Sequence, residues 1–289
     1  RARPDLAARL MNRHLQHSGD YSGLAVLRYY MVQRAMVRCK VALLRCRQQD
    51  GAALKAEDKS KDAPDNVAGT EAEDDEATKT ARAQASAYLA CAFHSLTPAP
   101  AAIIIAHGFS GSGKSTVCDA LVGVLGALQL RSDIERKRLY RIRPGAHSKA
   151  QPVAGIYTPR ATSAVYLRLR RLAARITAAG FPVIVDAAFL QCAQRRQFRQ
   201  LAQALGLPFF ILDVHANLAT LRARIIEREL AGTDASDAGL GVLEHQLATH
   251  EPLGSDELPD VIAIDSEHSV DMAQLRIACA ALVRALGRQ

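Results

Sequence analysis

The feature that most constrains this chain is a short apolar run, Ala102–Ala106, that leads into Gly108-Phe109-Ser110-Gly111-Ser112-Gly113-Lys114-Ser115-Thr116 and then a helix-forming stretch. This is the pattern GxxxxGK[ST] in the strand–loop–helix setting that gives it meaning. Glycines let the main chain curl so that successive N–H groups point inward, and the helix N-terminus adds its partial positive charge. Such a loop cradles phosphate. Lys114 is placed to reach β- and γ-phosphates, and the Ser115 hydroxyl to ligate Mg²⁺.

Around this loop the sequence alternates. Further short apolar runs, each suited to a buried strand, lie at 127–130, 182–185, 209–214 and 261–264. Amphipathic helical stretches lie near 114–125, 160–179, 193–205, 217–231 and 239–249, with a last one near 270–287. Buried strands alternating with helices predict a parallel α/β sheet. The run Phe181-Pro182-Val183-Ile184-Val185 ends in Asp186, which suits a carboxylate that holds the magnesium's water shell or orients Ser115. Ala187 and Ala188 follow, where a hydrolytic motor carries a water-activating glutamate, and no NKxD-like guanine-reading sequence occurs. Both observations favour group transfer over hydrolysis.

Two further clusters carry chemistry. Leu130-Arg131-Ser132-Asp133-Ile134-Glu135-Arg136-Lys137 follows the second strand, at the end where α/β sheets bind ligands. Asp133 suits a base that accepts a hydroxyl proton. Arg136, three residues on, suits a cation steadying a transferred phosphoryl group. The Ser-Asp setting also suits a helix cap, and the two roles are compatible. Downstream, Arg224 and Arg228 share a helical face (i, i+4) ahead of the polar stretch Gly232–Asp237. They read either as lid arginines that neutralise phosphoryl charge or as surface arginines paired with Glu227 and Glu229.

The N-terminal third differs in composition. Residues 1–50 are basic and helical: Leu6, Leu10 and Leu15 form one stripe, and Leu24, Leu27, Tyr30, Met31, Ala35, Val41 and Leu44 another. Residues 51–80 are charged and poor in large apolar side chains, which predicts an acidic flexible linker. A connecting helix over 81–100 follows, with Ala83, Tyr88, Leu89 and Phe93 as its inner face. The chain starts at Arg1 inside a helical pattern, so it reads as a piece of something longer. Lys+Arg exceed Asp+Glu by 37 − 29 = 8, which favours an acidic ligand, nucleotide or nucleic acid alike. Much of that excess lies in residues 1–50. Aromatics at 5% and the lack of Trp argue against a stacking-rich single-strand binder. No apolar run approaches the roughly 20 residues that span a bilayer. The six cysteines include no CxxC pair, so a zinc ribbon has no ligands and a reducing cytoplasmic setting is expected.

The strings GFSGSGKST, RSDIERK, VIVDAAF, LRARIIER and DASDAGLGVLEHQ resemble the small P-loop kinases grouped with gluconate kinase, polynucleotide kinase and zeta toxin. They resemble more closely the ATP-binding half of bacterial aminoglycoside phosphotransferase-like/P-loop kinase fusions. The resemblance covers roughly residues 100–270, and the helices upstream look like the end of the phosphotransferase-like half. It implies a three-layer fold with a five-stranded parallel sheet of order 2-3-1-4-5 over residues 101–289. It further implies ATP and Mg²⁺ at Gly108–Thr116, an acceptor-activating Asp133, and lid arginines at Arg224 and Arg228. Polynucleotide kinases carry an arginine three residues after the catalytic aspartate, where Arg136 stands. The acceptor stays open between a small-molecule hydroxyl and a polynucleotide 5′-hydroxyl, with a non-catalytic ATP-binding module as the third reading. Pro144–Thr158, a candidate acceptor wall, carries no pattern that selects among them.

Overall fold

The computed structural model describes residues 3–60, 68–96, 100–142, 158–231, 239–268 and 271–287. The chain divides into two units, Gly23–Pro98 and the remainder (Arg1–Ser22 with Ala99–Gln289).

In order along the chain, α1 spans Pro4–Ser18, α2 Leu24–Ser60 and α3 Ala68–Leu96. The larger unit continues with β1 (Ile103–His107), α4 (Lys114–Leu125), β2 (Leu128–Arg131), α5 (Ser132–Leu139) and α6 (Pro159–Ala178). Then come β3 (Val183–Asp186), α7 (Cys192–Leu205), β4 (Phe209–His215), α8 (Leu218–Ala231) and α9 (Leu240–Thr249). The chain closes with β5 (Val261–Asp265), α10 (Met272–Ala278) and α11 (Ala280–Ala285). The last expected helix is thus two, broken at Cys279.

All strands are parallel, in the order β2-β3-β1-β4-β5. This is the expected five-stranded parallel sheet. Ile103, Ile104 and Ile105 of the central strand are wholly buried, because helices cover both faces. On one side Ile104, Ala106, Ile184, Leu212 and Val214 meet Val117, Leu121 and Leu125 of α4 and Leu275 and Leu282 from the C-terminal helices. On the other side of the strands, where Phe189 follows β3, ring contacts link Tyr166 of α6 to Phe189 and Phe189 to Phe198 of α7. Each fully buried Ile or Leu contributes roughly 1.5–3 kcal/mol of transfer free energy. Strand β5, at an edge, alternates buried and exposed positions where a fully buried strand is expected.

The N-terminal third departs from expectation in three ways. First, α1 belongs with the sheet unit. Its buried face is Ala8, Asn12 and Leu15, whereas Leu6 and Leu10 are exposed. Second, α2 and α3 pack through small residues, Cys39 and Ala42 against Ala85, with Tyr88 alongside. Tyr30, Met31, Val41, Leu44, Leu89 and Phe93 are exposed instead of forming the seam. Small side chains let two helix backbones approach closely, which the hydrophobicity pattern alone does not reveal. Third, where 51–80 is described it is helical: α2 runs to Ser60 and α3 starts at Ala68, with 61–67 outside the described residues. Too little apolar surface excludes a core but not a helix, and Ala, Glu, Lys and Leu are strong helix formers. Among the described residues no helix is long and apolar enough to cross a membrane.

Candidate active site

The carboxyl ends of three adjacent strands, β2, β3 and β1, deliver the chain into one cleft of about 1160 Å³. Ligand clefts of open α/β sheets lie at this end. From β1 come Ser110, Gly111, Gly113, Lys114, Ser115 and Thr116; from β3, Asp186; from the β2–α5 junction, Asp133 and Arg136; from α8, Arg224 and Arg228. Gly108 and Ser112 form the inner turn behind this lining, Ser112 being only 1% exposed.

The loop geometry depends on missing side chains. Gly108 holds φ 140°, and a Cβ there would lie 2.3 Å from the Val214 carbonyl oxygen. Gly111, at φ 83°, would place a Cβ 2.6 Å from the Leu221 carbonyl oxygen on α8. Only glycine tolerates both the torsions and the approach. Gly113 then caps α4 in the left-handed conformation, which brings the helix N-terminus to the cleft. Lys114 folds back, with Nζ donating to the Phe109 carbonyl at 2.5 Å and lying 3.5 Å from Ser112 Oγ. Burial lowers its pKa to about 8, against the opposing pull of Asp186 and Asp133.

Asp186 is 5% exposed, and burial raises its pKa. Arg131, whose Nε lies 3.8 Å from Oδ2, a Ser115 hydrogen bond and Lys114 act in the opposite direction. Register pairs Arg131 with Asp186 across β2 and β3. A carboxylate hydrogen-bonded to a hydroxyl beside a phosphate loop fits Mg²⁺, which takes one or two protein oxygens and completes its shell with water and phosphate. Among the described residues no group of three His, Cys, Asp or Glu side chains forms a metal cage.

Asp133 lies in the first turn of α5, whose N-cap residue is Arg131. Arg136 is 8% exposed, and its Nη1 lies 3.5 Å from Thr162 Oγ1 on α6. Arg228 Nη2 donates to Ser110 Oγ at 3.3 Å. Arg224 reaches the Ser266 carbonyl (2.5 Å), Ser266 Oγ (3.3 Å) and the Gly111 carbonyl (3.5 Å). Both arginines thus reach groups of the phosphate loop. Gly232–Asp237 and most of Pro144–Thr158 lie outside the described residues.

Sequence reading missed several neighbours. Gln246 of α9 accepts from the Ser110 N–H at 2.8 Å. Ser266, beyond β5, places its hydroxyl 2.7 Å from the Ser112 carbonyl oxygen and so ties the loop to the sheet edge. Thr162, Ser163, Tyr166, Gln191, Gln194 and Gln197 also line the cleft. A lone serine or glutamine has no spacing signature; only Gln246 lay inside a string that carried a resemblance, VLEHQ.

A family profile described as an AAA domain (AAA_33) matches residues 103–253. Similar solved structures include the following three. A candidate kinase from Chloroflexus aurantiacus is 19% identical, with a TM-score of 0.50, covering 65% of this chain and 100% of its own. A gluconokinase from Sinorhizobium meliloti is 23% identical, with a TM-score of 0.44, over 66% of this chain and 96% of its own. The Mycobacterium tuberculosis APS kinase CysC, solved with AMPPNP and APS, is 20% identical, with a TM-score of 0.47, over 64% and 99%. At 19% identity the likeness to the first of these speaks to fold alone. A comparison with curated proteins found no match.

Proposed function

Because the chain belongs to the AAA-domain family AAA_33, a P-loop kinase domain, we propose that it transfers the γ-phosphoryl group of ATP to a hydroxyl of a small molecule. One observation carries the reading: the phosphate loop, Asp186, Asp133 and Arg136 line a single cleft, together with several hydroxyl and amide side chains.

ATP fits the glycine cradle, whose N–H groups and α4 N-terminus meet phosphate oxygens. Lys114 exchanges its bond to the Phe109 carbonyl for the β- and γ-phosphates. Ser115 and Asp186 would hold Mg²⁺, which when bound neutralises phosphate charge. Asp133 accepts the proton of the acceptor hydroxyl as its oxygen forms a bond to the γ-phosphorus. The bond from that phosphorus to the β,γ-bridging oxygen breaks, and ADP leaves. Arg136, Arg224 and Arg228 offset charge on the transferring oxygens.

The polar lining of the cleft supports a small hydroxylated acceptor. Thr162, Ser163, Gln191, Gln194 and Gln197 offer hydroxyl and amide partners, whereas a polynucleotide needs a track of cations along its phosphates. Among the described lining residues the cations are Lys114, Arg136, Arg224 and Arg228, and three of these sit at the phosphate loop or on α8.

The test is γ-labelled ATP screened against sugars, nucleosides, aminoglycosides, nucleotide-sugars and 5′-hydroxyl oligonucleotides. Asp133→Asn is expected to lower transfer to the accepted compound by about 10²–10⁴ while ATP affinity stays unchanged. Label on an oligonucleotide, with binding that falls steeply as salt rises, would install the polynucleotide reading instead. ATP binding without transfer to any class would leave a nucleotide-binding module.

A further inference from the structure

We infer that helix α1 is a working part of the cleft: its Asn12 and Gln16 position Gln129, and Gln129 in turn orients the Asp186 carboxylate toward Mg²⁺. This rests on the nucleotide–Mg²⁺ reading above.

Strand β2 is the edge of the described sheet next to β3, so its outer main-chain groups need partners other than a strand. Helix α1 supplies them through one side chain. Asn12, 5% exposed, donates from Nδ2 to the Ala127 carbonyl at 2.9 Å, and its Oδ1 accepts from the Gln129 N–H at 2.6 Å. The amide stands in for a missing strand and fixes the main chain of Gln129.

The side chain of Gln129 continues inward. It is 2% exposed and lies between two partners. Gln16 Nε2 donates to Gln129 Oε1 at 3.2 Å, and Gln129 Nε2 donates to Asp186 Oδ2 at 3.2 Å. A primary amide has a donating and an accepting end. Because Gln16 occupies the accepting end, Gln129 must present its N–H to Asp186 and not its carbonyl. Gln16 thereby selects the orientation that supports an ionised Asp186.

The far end of the helix is tied to the other wall. Arg138 Nη2 donates to the Gln16 carbonyl at 2.7 Å, and the Tyr21 hydroxyl donates to the wholly buried Glu135 at 3.2 Å. Glu135 also accepts from Arg168 at 2.7 Å and pairs with Arg138. Glu135 sits on α5, two residues from Asp133. A helix outside the sheet thus touches α5, which carries Asp133, and reaches Asp186 of β3 through Gln129. Asn12, Gln16 and Gln129 are positioning residues, since they act through Asp186.

The experiment uses the full chain and a fluorescent ATP analogue, mant-ATP, titrated with MgCl₂ and separately in EDTA. Gln129→Leu removes the donor to Asp186. Gln16→Glu keeps size and shape on a half-buried position but cannot donate, so the Gln129 amide turns its N–H away from Asp186. Partners that orient a metal-site carboxylate are worth 10–100-fold, so both variants are expected to raise the Mg²⁺ midpoint by roughly 10-fold. Affinity in EDTA is expected to stay at the wild-type value. The double variant should be no worse than Gln129→Leu alone, because the two residues act in series. An unshifted midpoint in both variants overturns the inference, and so does an equal loss with and without Mg²⁺, which marks general structural damage. Absence of Mg²⁺-coupled binding in the wild-type chain would overturn the nucleotide reading itself.

Discussion

Removing the carboxylate of Glu257 tests how the acceptor-side wall is held. Arg195 of α7 is 1% exposed and Glu257 4%. Arg195 Nε and Nη2 donate to Glu257 at 2.8 Å each, and the guanidinium also meets the carbonyls of Phe189 (3.1 Å), Glu251 (3.1 Å) and Pro252 (3.0 Å). Burial raises the Glu257 pKa, yet the Arg195 hydrogen bonds, the Gly254 N–H and the charges of Arg195 and Arg199 together make the net shift downward. In Glu257→Ala the guanidinium loses its countercharge and the acceptor for Nε, and its hold on the carbonyls of Phe189, Glu251 and Pro252 slackens. An uncompensated buried charge costs about 3–5 kcal/mol. At roughly 2.1 cal/mol/K of unfolding entropy per residue, a unit of about 200 residues loses about 7–12 °C in Tm. Urea unfolding should show a lower midpoint with an unchanged m-value, and Arg195→Met with Glu257→Leu should recover most of the loss.

The same variant has a kinetic consequence. Phe189 holds φ 50°, a left-handed conformation that costs a non-glycine residue about 1–3 kcal/mol and persists only while its surroundings enforce it. Arg195 grips its carbonyl, and the Tyr166 hydroxyl accepts from its N–H at 3.1 Å. Slackening that grip lets Ala187–Gln191 relax, so the acceptor KM is expected to rise while ATP affinity holds. A stability loss below about 1 kcal/mol would refute the reasoning, because it would mean that the pair contributes no more than a surface ion pair.

Other outcomes follow from the same geometry. Gly108→Ala combines φ 140° with a Cβ 2.3 Å from a main-chain oxygen, so strain of about 1–3 kcal/mol should weaken nucleotide binding by roughly 5–150-fold by equilibrium titration; unchanged affinity would contradict the cradle. Lys114, lowered to about 8, is charged below that pH, and phosphate binds its charged form. Nucleotide affinity should therefore be flat at lower pH and fall as pH rises through about 8, with proton uptake on binding in alkaline buffer by calorimetry; a flat profile to pH 9.5 or so would refute it. In the helical hairpin, Ala85→Leu overpacks the seam against Cys39 and Ala42 and should cost about 1–3 kcal/mol. Phe93→Ala, at a position 63% exposed, should stay within about 0.5 kcal/mol by urea unfolding.

The parallel sheet, its five strands and the phosphate loop were legible because each depends on local pattern: apolar runs of strand length, and glycines where torsion and close approach demand them. The bends that place Asp133, Asp186 and the two α8 arginines on one cleft follow from a sheet whose ligand end is common to all its strands. The register of the N-terminal helices was not legible. Hydrophobicity ranks Leu10 above Asn12, yet Asn12 is buried and Leu10 is 73% exposed, because an edge strand needs hydrogen-bond partners more than it needs another methyl group.

By itself the sequence determined the nucleotide end of this protein, where chemistry is carried by a contiguous loop and by residues at strand ends. Only the tertiary structure decided that Gln129, Gln246 and Ser266 attend that loop, and that α1 belongs to the same unit. Single amides and hydroxyls leave no periodic trace along a chain; they become partners only when folding brings distant segments within hydrogen-bond reach and burial makes each missing partner costly.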